Sequence, residues 1–265
     1  MNDYKYDMSE IYTSSGKKYQ DEKAIISLTS WKARINTVSK TLYSLINQNL
    51  NFHIVLVLSQ DEFPKKELEL PENLLFFIKH NIIELLWCIE NLKPHKKYFY
   101  TMQKYKTVPI ITVDDDGIYD NNLNNRLYSA WREHPDCVCA NRCHLITFDN
   151  NGKILPYNKW KHVYDLELTS HLLFPTGVGG VIYPPNCFNL TEENKNELYN
   201  AFFNDDFYLK VLEIRNNIQV YNIKTNFRHP KVSNDNDSLC SINVFQNRND
   251  TYIQNFINDF NKLKQ

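Results

Sequence analysis

Long apolar runs are missing from this chain of 265 residues. No stretch approaches the roughly 18 apolar residues of a membrane-spanning helix, and the polar amino terminus, M-N-D-Y-K-Y-D, lacks the apolar segment of a secretory signal peptide. An excess of basic residues is also absent, since the net charge is -1, and this balance does not favour nucleic acid as a partner. These absences predict a cytoplasmic globular protein. They are also compatible with a peripheral position at the inner face of the membrane.

Glycine is scarce, and the cysteines lack the spacing of a zinc site. The chain has 6 glycines and contains neither a P-loop nor a complete G-x-G-x-x-G fingerprint, which counts against kinase and P-loop chemistry. Its 6 cysteines include the cluster C-V-C-A-N-R-C, which has no paired C-x-x-C spacing and no matching second half. We therefore predict mostly buried, reduced thiols.

The apolar residues that are present follow an alternating α/β order in the first half. Short β-branched runs predict strands at residues 24–29, 52–58, 82–87 and 108–113. Amphipathic periodicity predicts helices at residues 38–47, 67–79 (broken by Pro71), 98–104 and 120–133. Strands that alternate with helices imply a mostly parallel sheet with helices on both faces, an α/β, Rossmann-like class.

The second half has a different pattern, with short strands, loops and a hairpin turn at Asn151 and Gly152. The segment Pro175–Gly180, P-T-G-V-G-G, holds three of the chain's glycines, and we interpret it as a ligand-facing loop, with a tight turn as the alternative. Periodicity predicts helices at residues 207–215 and 252–263.

Three consecutive aspartates, Asp114, Asp115 and Asp116, follow the predicted strand at residues 108–113. In parallel sheets, ligands bind at the carboxyl ends of the strands. Because packed carboxylates repel one another, the cluster indicates a cation, and oxygen ligands of this kind suit Mg²⁺ or Mn²⁺ shared with substrate phosphates. The alternative is a solvated acidic turn, since Asp-Gly is also ordinary turn chemistry.

A set of short motifs carries a family resemblance between Ala24 and Lys210. In chain order they are I-S-L-T-S-W-K-A-R-I, I-V-L-V-L-S-Q-D-E-F-P, I-I-T-V-D-D-D-G-I-Y, A-N-R-C-H, F-P-T-G-V-G-G-V-I-Y-P-P and N-D-D-F-Y-L-K. With these motifs the chain resembles bacterial glycosyltransferases of capsule and lipopolysaccharide biosynthesis. The resemblance implies one GT-A domain, with a nucleotide-sugar-binding half at residues 22–118, an acceptor-binding half at 119–230, and a carboxyl-terminal loop and helix at 231–265. The chain departs from the family pattern in its last third.

The resemblance also implies roles on the donor side. Asp114 and Asp116 form the Asp-x-Asp pair that holds the metal on the donor diphosphate, and Asp114 also faces ribose or sugar hydroxyls. Asp115 supports them from the side. The remaining donor-side candidates lie near the nucleotide or its phosphates: Thr29, Ser30, Arg34 and Lys104. For Arg34, a surface charge at a helix entry is the alternative.

On the acceptor side, Asp205 or Asp206 is the predicted general base, which makes the enzyme inverting. A helix N-cap is the alternative for one residue of N-D-D. His229 is a candidate third metal ligand, with a structural role as the alternative. Tyr157 and Trp160 suit stacking on a sugar face or, equally, core packing.

Together these observations predict a metal-dependent glycosyltransferase. It would use Mn²⁺ or Mg²⁺ to move a sugar from a nucleotide-sugar donor to a surface glycan or a lipid-linked glycan acceptor. Two alternatives stay open: a non-catalytic relative that binds carbohydrate or nucleotide, and a metal-dependent nucleotidyl or phosphoryl transferase.

Overall fold

The computed structural model describes residues 23–163, 165–225 and 248–264. In these residues the helices are α1 (Val38–Ile46), α2 (Glu72–Lys79), α3 (Lys96–Lys104), α4 (Leu123–Glu133), α5 (Glu192–Glu197), α6 (Asp205–Arg215), α7 (Arg248–Asn255) and α8 (Ile257–Asn261). The strands are β1 (Ile25–Thr29), β2 (His53–Ser59), β3 (Glu84–Cys88), β4 (Ile110–Thr112), β5 (Val138–Ala140), β6 (Cys143–Leu145), β7 (Lys161–His162), β8 (Leu168–Ser170), β9 (Leu173–Pro175), β10 (Val181–Tyr183) and β11 (Val220–Asn222).

A sheet with the strand order β3-β2-β1-β4-β10-β5-β11-β8 runs through the described part of the chain. The first four strands are mutually parallel. Strand β10 is antiparallel to both β4 and β5, whereas β11 is parallel to β5 and antiparallel to β8. The sheet is therefore mostly parallel, and the α/β, GT-A (Rossmann-like) fold class is confirmed.

Helices cover both faces of this sheet. Successive side chains of a strand point to opposite faces. On one face, Ile26 of β1 and Leu56 of β2 belong to a core that includes α1, α2 and α4. On the other face, Ile25 and Val55 pack with Tyr100 of α3. The strands of the first half are thus buried on both sides, which explains why they are almost continuously apolar.

The second half has its own core and a small additional sheet. Val138 of β5, Val181 of β10 and Val220 of β11 pack in one cluster with α6, α7 and α8. Strands β7-β6-β9 form an antiparallel three-stranded sheet beside it. The predicted division at residues 118 and 119 falls between β4 and α4, and the large sheet continues across it through the pairing of β10 with β4 and β5.

Several predicted details are confirmed and one differs. Pro71 is the residue before α2, and a short 3-10 turn precedes it, as the predicted break implies. The hairpin turn is present, with Gly152 at a φ of 74° and an antiparallel bridge between Phe148 and Ile154. The final predicted helix is instead divided into α7 and α8 at Phe256.

The cysteines of the described residues are free thiols, as predicted. Cys88, Cys139 and Cys143 are buried, and Cys137 and Cys187 are partly buried. Cys240 lies outside the described residues. Within the part of the chain that the structure describes, no helix combines the length and apolarity needed to cross a membrane.

Candidate functional site

Two neighbouring parallel strands, β1 and β4, end at the same edge of the sheet. Asp115, just after β4, accepts hydrogen bonds from Ser30 Oγ at 2.6 Å and from Arg34 Nη1 at 2.9 Å. Its backbone carbonyl accepts one from Thr41 Oγ1 at 2.8 Å. Asp115 is 7% exposed, and burial raises the pKa of its carboxyl above the usual value although the Arg34 charge opposes this. Asp115 therefore anchors the turn that carries its two neighbours.

Arg34 also contacts Asp116, with 3.1 Å between its Nη1 and Asp116 Oδ2. Ser30, Arg34 and the aspartates thus form one polar group at the ends of β1 and β4. Lys96 adjoins this group: its Nζ donates to Glu62 Oε2 at 2.9 Å and to the Ser30 carbonyl at 3.4 Å. The sequence-based interpretation did not include Lys96 or Glu62.

Lys97 is the central cation of the site. Its Nζ lies 2.7 Å from Asp114 Oδ1 and 2.8 Å from Asp205 Oδ2, and the residue is only 3% exposed. Burial alone would lower the pKa of Lys97, but Asp114, Asp205 and Asp206 hold it well above its ordinary value. One ammonium group therefore joins the strand end of the first half to α6 of the second half.

Asp205 and Asp206 occupy the first turn of α6, and Asn204 is the N-cap, since its side chain accepts a hydrogen bond from the Phe207 N–H at 3.3 Å. The N-cap alternative thus applies to Asn204, which leaves both aspartates for other roles. Asp205 is buried and pairs with Lys97. Asp206 is partly buried, and its Oδ1 accepts a hydrogen bond from the Gly177 N–H at 3.0 Å. Burial and the charge of Asp205 raise the pKa of Asp206 well above its ordinary value.

Gly177 lies where the two halves meet. It begins the 3-10 turn Gly177–Gly179 between β9 and β10. A Cβ at this position would lie 3.2 Å from Asp206 Oδ1, 3.3 Å from Lys97 Nζ and 3.4 Å from Asp114 Oδ1. The segment is therefore a tight turn that also faces the carboxylate cluster, and glycine leaves room among these polar atoms.

Other predicted residues lie elsewhere. Thr29 Oγ1 donates to the Val57 carbonyl at 2.7 Å, which ties β1 to β2. Lys104 Nζ lies 2.6 Å from Glu84 Oε1. Glu84 is the first residue of β3, so this ion pair lies at the amino ends of the parallel strands, whereas the aspartates lie at the carboxyl ends. Lys104 was predicted to lie near the phosphates of the nucleotide. The lysine of this helix that contacts the aspartates is instead Lys97, near the start of the helix.

The two aromatic candidates have different environments, and the late histidine is not part of the described structure. Trp160 is 4% exposed in the second core, so it is a packing residue. Tyr157 is partly buried and stacks on His144, with 5.1 Å between ring centroids. His229 lies outside the described residues.

The two carboxylates that could hold a metal are those of Asp114 and Asp116. Within the described residues, no three His, Cys, Asp or Glu side chains are arranged to hold a metal ion. Mg²⁺ commonly uses only one or two protein carboxylates, with waters and substrate phosphates completing its shell. Asp114 and Asp116 are both partly buried at the sheet edge and suit that mode, although each has an oxygen near a cation, Lys97 or Arg34.

No family model and no curated protein matches this chain. Among solved structures, S. aureus TarS in complex with UDP-GlcNAc overlaps with a TM-score of 0.49 and 14% identity over 83% of this chain and 61% of that chain. CMP:2-keto-3-deoxy-manno-octonic acid synthetase complexed with CTP gives a TM-score of 0.47 and 10% identity over 77% of this chain and 90% of that chain. 4-Diphosphocytidyl-2C-methyl-D-erythritol synthase gives a TM-score of 0.49 and 10% identity over 81% of this chain and 95% of that chain.

The chain spans 59% of the TarS chain comprising residues 1-349 and 36% of the longer TarS chain. Overlaps of this quality identify neither a family nor a substrate. The fold class rests on the strand order of the chain itself, and the function rests on the site.

Proposed function

We propose that this protein is a glycosyltransferase that moves a sugar from a nucleotide diphosphate donor to a hydroxyl of an acceptor glycan. The observation that supports this most is the bridge made by Lys97 between Asp114 and Asp205. It places a strand-end carboxylate cluster, suited to a metal and a diphosphate, beside a pair of carboxylates that includes a candidate base. A solvated acidic turn would need no such buried bridge.

Of the two helix carboxylates, Asp206 is the better candidate for the base. It is less buried than Asp205, and it is Asp205 that is paired with Lys97. In the proposed step, Asp206 accepts the proton of the acceptor hydroxyl while that oxygen forms a bond to the anomeric carbon. The bond from the anomeric carbon to the diphosphate oxygen breaks, and the nucleoside diphosphate leaves with inversion of configuration.

The other residues position these groups. Asp205 holds the Lys97 ammonium, and Gly177 fixes Asp206 through its N–H. Asp114 and Asp116 would hold Mn²⁺ or Mg²⁺, which acts as a Lewis acid on the diphosphate when bound. Ser30 and Arg34 hold the turn that presents these two aspartates.

The proposal also covers the acceptor of the sugar and the cellular compartment of the protein. A growing capsule or lipopolysaccharide glycan, free or lipid-linked, is the acceptor that the family resemblance implies. Work on such an acceptor would place the protein in the cytoplasm, at the inner face of the membrane.

A donor screen tests the function directly. The full chain would be incubated with a panel of nucleotide sugars and oligosaccharide acceptors, with Mn²⁺, with Mg²⁺ or with a chelator, while nucleoside diphosphate release is followed. We expect acceptor- and metal-dependent release for one donor, lost in Asp206→Asn and kept in Asp136→Asn, a substitution at an exposed aspartate remote from the cluster.

Two other results would contradict the proposal. Pyrophosphate released from a nucleoside triphosphate in the presence of a sugar would indicate nucleotidyl transfer. Tight binding of a nucleotide sugar, without turnover on any acceptor, would indicate a binding protein.

A further inference from the structure

Arg142 has no acidic partner in the described structure, although it lies close to the candidate site. It directly precedes β6, and its Nη1 donates to Thr176 Oγ1 at 2.8 Å. Among residues 23–163, 165–225 and 248–264, no carboxylate forms an ion pair with it. By contrast, Arg34, Arg126 and Arg215 each contact at least one Asp or Glu.

The lack of an acidic partner is unfavourable for Arg142, because the residue is partly buried and an arginine side chain keeps its charge. A partly desolvated charge without a counter-ion is unfavourable unless a ligand supplies one. Guanidinium groups bind phosphate oxygens through paired, charge-assisted hydrogen bonds. Arg142 thus has the chemistry of an anion-binding residue.

His144 provides a second, independent observation. It is the second residue of β6, directly after Arg142 and Cys143, and lies close enough for the Arg142 charge to affect its ring. It is 5% exposed, and neither ring nitrogen has a hydrogen-bond partner. Its ring lies 4.2 Å, between centroids, from that of His162 on β7. Burial, together with the Arg142 charge, lowers the pKa of His144 to about 3, so the ring is neutral at pH 7 and able to donate or accept one hydrogen bond.

Arg142 and His144 adjoin the carboxylate cluster through two contacts. Thr176, which Arg142 binds, directly precedes Gly177, and a Cβ at Gly179 would lie 2.9 Å from Arg142 Cβ. On the other side, Phe207, next to Asp206, has its ring centroid 5.8 Å from that of Tyr157, which stacks on His144.

We propose that Arg142 binds a phosphate group carried by a substrate of this site, with His144 as an adjacent hydrogen-bonding group. This inference rests on the proposed function and narrows its substrate class. Two sources share the chemistry: the diphosphate of the donor, and a phosphate on the acceptor, as in a phosphorylated glycan or a lipid-linked one.

NMR of the histidine rings tests this without turnover. The full chain would be titrated with inorganic phosphate and with methyl phosphate, and the His144 signals assigned by comparison with His144→Gln. We expect these signals to shift in the wild type. In Arg142→Gln the phosphate affinity should fall about tenfold or more, as for other hydrogen bonds to charged groups, and Arg142→Lys should retain part of it. Arg132→Gln, at an exposed arginine of α4, is the matched control and should leave the titration unchanged.

A second arm separates the two sources, using UDP and GDP with Mg²⁺, because paramagnetic Mn²⁺ would broaden the histidine signals. If the donor supplies the phosphate, one of these nucleotides displaces inorganic phosphate, and Arg142→Gln weakens its binding. If the acceptor supplies it, the phosphate shift persists with the nucleotide bound.

Absence of a phosphate shift at His144, or equal affinities in the wild type and a folded Arg142→Gln, would overturn the inference. Sugar transfer in the donor screen together with that absence would leave the proposed function standing. Arg142-dependent phosphate binding without sugar transfer would leave only the anion site.

Discussion

Lys97 illustrates how much of this site depends on single side chains. Lys97→Met should leave the buried Asp205 and the partly buried Asp114 without their shared cation. Removing one partner of a buried ion pair typically costs about 3–5 kcal/mol of unfolding free energy. Urea denaturation would measure this cost. Lys104→Met, which removes an exposed partner of Glu84, is the control and should cost less than about 1 kcal/mol. Equal losses in the two variants would show that the Lys97 bridge stabilises the fold no more than a surface ion pair does.

The two aspartates of α6 should respond differently to the same substitution. Asp206→Asn should lower turnover by roughly 10²-fold or more, as for a general base, with donor affinity nearly unchanged. Asp205→Asn should mainly reduce stability, because it weakens the partner of Lys97. Rates of nucleoside diphosphate release and thermal unfolding would separate these effects. NMR of the product should show inversion at the anomeric carbon, and retention would exclude Asp206 as the base.

At the strand end, Asp116→Asn and Asp114→Asn should each remove most activity. The amide keeps the side-chain volume but is a weaker metal ligand, and a metal on a diphosphate supplies several kcal/mol, more than roughly 10²-fold in rate. Release assays over a Mn²⁺ titration would measure both turnover and metal dependence. Wild-type rates and an unchanged Mn²⁺ requirement in either variant would rule out the metal-site assignment.

At the scale of elements, the turn Gly177–Gly179 lies against polar groups of both halves. Gly177→Ala should place a methyl group within 3.2–3.4 Å of three polar atoms, so these must move by a few tenths of an ångström. We expect a clear loss of turnover with the melting temperature nearly unchanged, because the turn can keep its backbone conformation.

Gly152→Ala is the control for this prediction. Its Cβ would meet no atom within 4 Å, but its φ of 74° disfavours alanine. It should lose stability and keep activity.

The elements also show what the sequence could and could not predict. Strands β1 and β2 are buried on both faces, so their apolar runs located them to within one or two residues. The three-residue strands of the second half are too short for periodicity to resolve. The position of the aspartates could be predicted because three carboxylates in a row follow a short, apolar, β-branched run. Lys97 was not found because one lysine in K-P-H-K-K-Y resembles the next, and only the approach of α6 distinguishes it. Arg142 belongs to the motif A-N-R-C-H but received no role, because the sequence does not show which charged side chains lack an ion-pair partner.

At the scale of the whole molecule, one sheet crosses both halves, because β10 pairs with β4 and with β5. We therefore expect a single cooperative unfolding transition. Two variants, each retaining only Trp87 or only Trp160, would report on the first and second cores by fluorescence during urea denaturation. Coincident midpoints would confirm one folding unit. Midpoints that differ beyond the error of the fits would show that the halves unfold separately.

The ion pairs of Lys97 and Arg34 neutralise part of the carboxylate cluster without a bound metal. Each supplies an internal counter-ion to a carboxylate that would otherwise repel its neighbours. We therefore expect the carboxylate cluster to form during folding without a divalent ion, unlike small domains whose folding depends on their metal. If the protein transfers sugars as proposed, a metal bound together with the nucleotide sugar could leave with the diphosphate, because Lys97 and Arg34 would still balance the carboxylates.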